Sequence, residues 1–166
     1  MSAPSRVIVV GVASNFRRAK NIKKSLREMK LFLGRLEISQ LVKSADFSGK
    51  GAFYWNVVVK FKSQLPINEI KTLMKDIEIS CGRLKQSKEL GCVSLDLDLL
   101  LQEDTSSERL CLLDKGLPSN LSLVYAMAEL FSFEDLLSVD PLLDRSLQKL
   151  DRERYSSVKI RWDSIL

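Results

Sequence analysis

The chain has 166 residues, 45% of them hydrophobic and 28% charged, with a net charge of +5, three cysteines and no histidine. That length suits one domain spanning residues 1–166 with a sizeable core, and the composition is ordinary for a globular protein. Without histidine there is no Ser-His or Cys-His nucleophile pair, no imidazole metal ligand and no histidine general base; chemistry falls to carboxylates, Lys, Arg, Tyr, Ser or an oxygen-loving metal.

Residues 1–5 read as a loose tail, and residues 6–13 (RVIVVGVA), rich in β-branched side chains, as a buried strand. Ser14 and Asn15 offer a side-chain cap for the helix that follows. Phe16, Ala19, Ile22, Leu26, Met29 and Leu33 recur at three- and four-residue steps, an apolar stripe with Arg and Lys on the other faces, and Gly34 is a natural stop. Residues 36–42 read as a second strand, residues 44–52 as a Gly/Ser loop, and residues 54–61 (YWNVVVKF) as the strongest strand in the chain. Pro66 suits the first turn of a second amphipathic helix, whose stripe is Ile67, Ile70, Leu73, Met74 and Ile77 and whose end is Gly82. A polar basic segment, residues 83–91, precedes a fourth strand at residues 93–101.

Strand, helix, strand, strand, helix, strand is the ferredoxin-like βαββαβ order, an α+β fold with an antiparallel sheet and two helices on one face. Residues 120–137 and 142–155 read as additional C-terminal helices for the other face, giving three α/β/α layers, and residues 157–162 as a short last strand. The cysteines show no CxxC spacing and read as free thiols of a reducing compartment. No stretch approaches the roughly 18 apolar residues of a membrane span, so a cytoplasmic location without a membrane partner is expected. Nothing in the sequence bears on oligomeric state.

The informative segment is Ser94-Leu95-Asp96-Leu97-Asp98. Residues two apart on a strand share a face, so Asp96 and Asp98 project together roughly 7 Å apart while Leu95, Leu97 and Leu99 face the core. Two such carboxylates repel unless a divalent cation lies between them, and hard oxygen ligands suit magnesium with substrate phosphates as its other ligands. Arg83, Lys85 and Lys88 just before them supply the cations that polyphosphate binding needs. Tyr54 and Asn56 share a face of the central strand, an aromatic beside an amide that suits a flat heterocycle. Each pattern also fits a purely structural use: solvated acids, a solvated loop, and an amide that ties down a neighbouring loop.

Four segments in order resemble the 6-hydroxymethyl-7,8-dihydropterin pyrophosphokinase family from about residue 9 to about residue 130. They are Ala13-Ser14-Asn15, Tyr54-Trp55-Asn56, Glu78-x-x-x-Gly82-Arg83 and Ser94-Leu95-Asp96-Leu97-Asp98. The resemblance implies transfer of diphosphate from ATP to the pterin hydroxymethyl group, releasing AMP, in folate biosynthesis. It implies Asp96 and Asp98 as ligands of two Mg2+ ions, Asn56 and Tyr54 at the pterin, and Arg83, Lys85 and Glu78 at the nucleotide, with Arg83 also catalytic. Its partners would be ATP and the pterin. Elsewhere the chain departs from the family pattern. Leu90-Gly91-Cys92-Val93 stands for Trp-Gly-Pro-Arg, and Ser44-Ala45-Asp46 lacks the usual proline. Leu113, Asp114, Asn120 and Ser122 fall where a proline, a histidine, an arginine and an aromatic are usual. Two other functions stay open: a protein of this fold that binds nucleotide or pterin without turnover, and an RNA-binding module using the basic run from Arg17 to Lys30. The sheet strands lack the aromatic-basic pattern the RNA function needs.

Overall fold

A computed structural model describes residues 4–46, 48–148 and 157–158. The strands are β1 (Arg6–Ser14), β2 (Leu36–Ile38), β3 (Leu41–Ser44), β4 (Tyr54–Ser63), β5 (Asp96–Glu103), β6 (Leu110–Leu112) and β7 (Ser157–Val158). The helices are α1 (Arg18–Leu33), α2 (Ile67–Ser80), α3 (Leu121–Met127), α4 (Phe133–Leu137) and α5 (Pro141–Gln148), with one 3-10 turn at Leu117–Ser119. The sheet order is β6-β5-β1-β4-β3-β7, β2 also pairs with β4, and every pairing is antiparallel. Strands β5-β1-β4-β3 are the ferredoxin-like core, with each helical crossover skipping one strand.

Two apolar clusters lie on opposite faces of this sheet. Ile22, Leu26 and Met29 of α1 and Ile70, Met74 and Ile77 of α2 meet Val10, Val12, Val57, Val59, Leu95 and Leu97 on one face. Leu123, Val124 and Met127 of α3, with Leu136 and Leu143, meet Val9, Val58, Leu100 and Leu101 on the other. The α/β/α layering and the α+β class therefore stand as the sequence indicates. Among the described residues no helix is long and apolar enough to cross a membrane.

Several boundaries differ, each for a physical reason. Helix α1 starts at Arg18, and its N-cap position is Arg17 in a left-handed conformation (φ 47°) with no side-chain cap. Ser14 and Asn15 do not cap it, because their side chains bond to segments distant in sequence. Phe16 and Ala19 are exposed, so the buried stripe begins at Ile22. The second strand is broken. Leu36 and Ile38 pair with Phe61 and Val59, whereas Val42 pairs with Asn56, a slip of one residue. Ser39 fills the gap: its N–H donates to the Val58 carbonyl (2.9 Å) and its Oγ accepts from the Val58 N–H (2.9 Å), a β-bulge in which a side chain replaces a ladder group.

Strand β5 begins at Asp96 rather than Val93, since the Val93 carbonyl accepts from the Asn15 and Phe16 N–H groups instead of a strand partner. The hairpin strand β6 is too short to carry an alternation. Residues 120–137 form two short helices in place of one, with Asn120 capping α3 through its side chain and Ser132 capping α4. Gly82 (φ 82°) does end α2. The second expected C-terminal helix is seen as far as Gln148 and the last strand at Ser157–Val158; their remainders lie outside the described residues. Cys81, Cys92 and Cys111 are free thiols.

Candidate active site

The central strands β1, β4 and β5 place Gly11, Ala13, Tyr54, Asn56, Asp96 and Asp98 on the α3 face, where they line one cavity of about 230 Å³. Its remaining wall comes from Ser44, Ala45, Asp46, Lys88, Asn120 and Leu123. Both pairs of side chains read from strand alternation thus open on the same space, while Leu95 and Leu97 are buried on the opposite face. A second cavity of about 400 Å³ lies between β5 and α2, lined by Lys71, Met74, Lys75, Glu78, Leu97, Asp98, Leu99, Leu113 and Asp114. Asp98 belongs to both.

Charge is unevenly distributed there. Arg83 donates to Asp96 Oδ1 (3.2 Å) and to the Leu95 carbonyl (3.0 Å). Lys88 Nζ stands 3.5 Å from Asp96 Oδ2. Asp98 has no ion pair among the described residues. It keeps solvent contact at the junction of the cavities, yet partial loss of hydration, then repulsion from Asp96 and Asp114, pushes its carboxyl up to about 6 from 3.8 against the opposing Lys88. Glu78 Oε1 accepts from the Leu97 N–H (2.8 Å); burial raises its carboxyl against that bond, and Asp96 adds to the rise. Burial, with Asp46 and Asp96 nearby, likewise raises the Tyr54 phenol. A carboxylate pair with one member unpaired and a surplus of acids around it fits a divalent cation. Among the described residues no group of three or more acids or thiols could hold a metal by itself, so phosphate oxygens or water would complete the coordination.

Asn56 is buried, and its Nδ2 donates to the Val42 carbonyl (3.1 Å) and to Ser44 Oγ (2.9 Å). Its side chain thus ties β4 to β3, and among the described residues Oδ1 has no hydrogen-bond donor. Lys85 is exposed and lines neither cavity; the structure brings Lys88 to Asp96 instead. The resemblance points to Lys85, and no periodicity in the segment singles out Lys88.

The loops around the cavity are fastened to each other, which strand and helix periodicity does not reveal. Asn15 Nδ2 donates to the Gly91 carbonyl (2.9 Å) and Asn15 Oδ1 accepts from the Val93 N–H (2.7 Å). Ser14 Oγ donates to the Ser94 carbonyl (2.7 Å). Asp46 accepts from Ser48 Oγ (2.7 Å), Ser48 N–H (3.1 Å) and Gly51 N–H (2.6 Å), bonds that lower its carboxyl below the usual range. Gly51 then lies directly on Gly91: a Cβ at Gly51 would stand 2.2 Å from the Gly91 oxygen.

The 7,8-dihydro-6-hydroxymethylpterin-pyrophosphokinase family matches residues 9–141 of the chain. The chain belongs to that family. Its members are diphosphokinases of folate biosynthesis that act on ATP and a pterin and generally use Mg2+. No curated protein matches the chain significantly. The positions that depart from the usual pyrophosphokinase residues have structural uses here. Val93 is fully buried. Asn120 Oδ1 accepts from Ser122 Oγ (2.8 Å) and from the Leu123 N–H (3.3 Å), and Ser122 is buried. Asp114 Oδ1 accepts from the Gly116 N–H (2.8 Å) and lines the second cavity.

Proposed function

We propose that this chain transfers diphosphate from ATP to 6-hydroxymethyl-7,8-dihydropterin and releases AMP. The carrying observation is that Tyr54, Asn56, Asp96 and Asp98 line one cavity in a chain of the pyrophosphokinase family. In this reading the pterin occupies the first cavity. Asn56 Oδ1 accepts from the ring and Tyr54 flanks it. The nucleotide occupies the second cavity beside Glu78, with Asp98 between the two. Asp96 and Asp98 are the carboxylates that hold Mg2+, expected as two ions. Bound there, the metal supplies charge neutralisation of the triphosphate and polarises the phosphorus under attack. Arg83, held by Asp96 and the Leu95 carbonyl, keeps the Asp96 carboxylate oriented and carries positive charge beside the phosphates; Lys85, exposed on the same loop, is the second cation of this reading. Positioning and charge account for such a transfer, so the missing histidine is no obstacle.

Among the described residues the two clusters built on one sheet support a single domain, the reading we take for residues 1–166. Free thiols support a cytoplasmic setting. Helices cover both faces of the sheet, which leaves no open face for base stacking and counts against the RNA-binding reading. A second reading, binding without turnover, is favoured by Val93 and Asn120, which stand buried or committed to a cap where the family has arginines.

The test is AMP release from ATP, Mg2+ and hydroxymethyldihydropterin by the purified chain. Release that disappears in the Asp96→Ala, Asp98→Ala double variant supports the enzyme. No release above that variant, together with calorimetric binding of the pterin and α,β-methylene ATP, establishes the second reading.

A further inference from the structure

Among the described residues the first cavity has a single cation in its wall, Lys88, and that cation sits on the carboxylate a metal would use. We propose that Lys88 holds the place of the metal on Asp96 in the free protein and moves onto the polyphosphate when the metal binds. This rests on the reading of Asp96 and Asp98 as a metal pair and extends it to a residue outside that reading.

Asp96 faces two cations of different character. Arg83 is 16% exposed and held at both ends of its guanidinium, by Asp96 Oδ1 and by the Leu95 carbonyl. Both contacts hold it at Asp96 and the Leu95 carbonyl. Lys88 is 70% exposed, makes a long contact of 3.5 Å to the other oxygen, Oδ2, and has no second side-chain partner among the described residues. An exposed pair of that length holds weakly. Its backbone, by contrast, is held in hydrogen bonds. The Lys88 carbonyl accepts from the Gly91 N–H (3.2 Å), the Ser87 carbonyl from the Cys92 N–H (3.0 Å), and Asn15 secures Gly91 and Val93. An exposed ammonium on a hydrogen-bonded turn can swing between Asp96 and the cavity by side-chain rotation.

A metal arriving at Asp96 and Asp98 competes with Lys88 for Asp96 Oδ2, and two cations on one oxygen repel. The displaced ammonium then stands at the rim of a cavity whose other charged groups are acids: Asp46, Asp96 and Asp98. A metal-bound diphosphate offers that ammonium a multiply charged partner in place of the Asp96 oxygen taken by the metal. The buried Val93 cannot supply a cation there, so Lys88 carries the function from a different position on the same loop.

Two measurements on the intact chain test this, with Lys20→Ala, a charge removed from the outer face of α1, as the control for surface charge. Mn2+ binding is followed by electron paramagnetic resonance without nucleotide. Lys88→Ala should bind Mn2+ about two- to fivefold more tightly than wild type, the range an exposed ion pair supplies. Binding of α,β-methylene ATP with saturating Mg2+ is followed by calorimetry. There Lys88→Ala should bind about tenfold more weakly, the loss of one charged hydrogen bond. Unchanged or weaker Mn2+ binding in Lys88→Ala overturns the proposal, as does unchanged affinity for the analogue. Absence of Mn2+ binding by the wild type overturns it together with the metal pair. A wild type that binds both ligands but releases no AMP ends the diphosphotransferase reading alone.

Discussion

Substituting Gly51 by alanine tests whether the fastened loops shape the site. The new methyl would stand 2.2 Å from the Gly91 oxygen, 2.6 Å from Asn15 Nδ2 and 2.9 Å from Asp46 Oδ2. Ordinary contact begins near about 3.5 Å, so one loop must retreat by roughly 1 Å. If Gly91 retreats, its 2.9 Å bond from Asn15 stretches past usefulness; if Gly51 retreats, its 2.6 Å bond to Asp46 does. Either path costs about 1–3 kcal/mol, the usual range for overpacking or for one lost buried hydrogen bond. That corresponds to roughly a five- to hundredfold fall in the population of the docked loop. Ala45 and Asp46 belong to this loop and to the cavity wall, so KM for the pterin should rise by about tenfold with a smaller effect on melting temperature. Trypsin reports loop opening directly, because Lys50 precedes Gly51, and cleavage there should accelerate in step with KM. A KM within twofold of wild type and an unchanged rate of cleavage after Lys50 would refute the reasoning.

Three further outcomes follow from the geometry. Asn15→Ala removes the bonds to the Gly91 oxygen and Val93 N–H, and should lower the unfolding free energy in urea by about 2 kcal/mol. Asn56→Ala leaves the Val42 carbonyl and Ser44 Oγ without their donor; calorimetry should show pterin binding lost, and chemical unfolding a penalty of about 1–2 kcal/mol. The third concerns pH. The Asp98 carboxyl is raised from 3.8 to about 6, so the folded state holds that proton more tightly than the unfolded chain. The stability it contributes is complete below about 3.8 and is lost as pH rises through about 6. Metal bound to the ionised pair opposes that loss. The rise in melting temperature on adding Mg2+ should therefore grow from pH 5 to 7, and a Mg2+ effect independent of pH would count against Asp98 as a ligand.

Strand alternation is what made the acidic pair legible: a period of two fixes facing without knowledge of neighbours, and Asp96, Asp98, Tyr54 and Asn56 all turned to one cavity as it requires. The core stripes of α1 and α2 were legible for the same reason. Ser14 and Asn15 read as a cap because capping is a local inference, while their side chains bond 80 and 76 residues away. The preference for Lys88 over Lys85 depends on the turn geometry of residues 83–91, which has no period to read. The contact of Gly51 on Gly91 joins two loops that neither composition nor spacing connects.

The bulge at Ser39 has a consequence for how relatives should be compared. Before it, Leu36 and Ile38 face the cluster under α1 and α2; after it, Leu41 faces that cluster and Val42 the opposite one. The extra residue reverses the parity of everything downstream, so Ser44 opens on the cavity and Lys43 does not. Straightening the strand through residues 39 and 40 with every residue kept would exchange them and turn Lys43 toward the cavity, whereas deleting one residue there would remove the bulge and leave both facings as they are. In this fold the chemistry of a cavity wall is set partly by an irregularity outside it: a relative with a one-residue gap at 39–40 keeps the same wall, and one that loses the bulge at equal length does not.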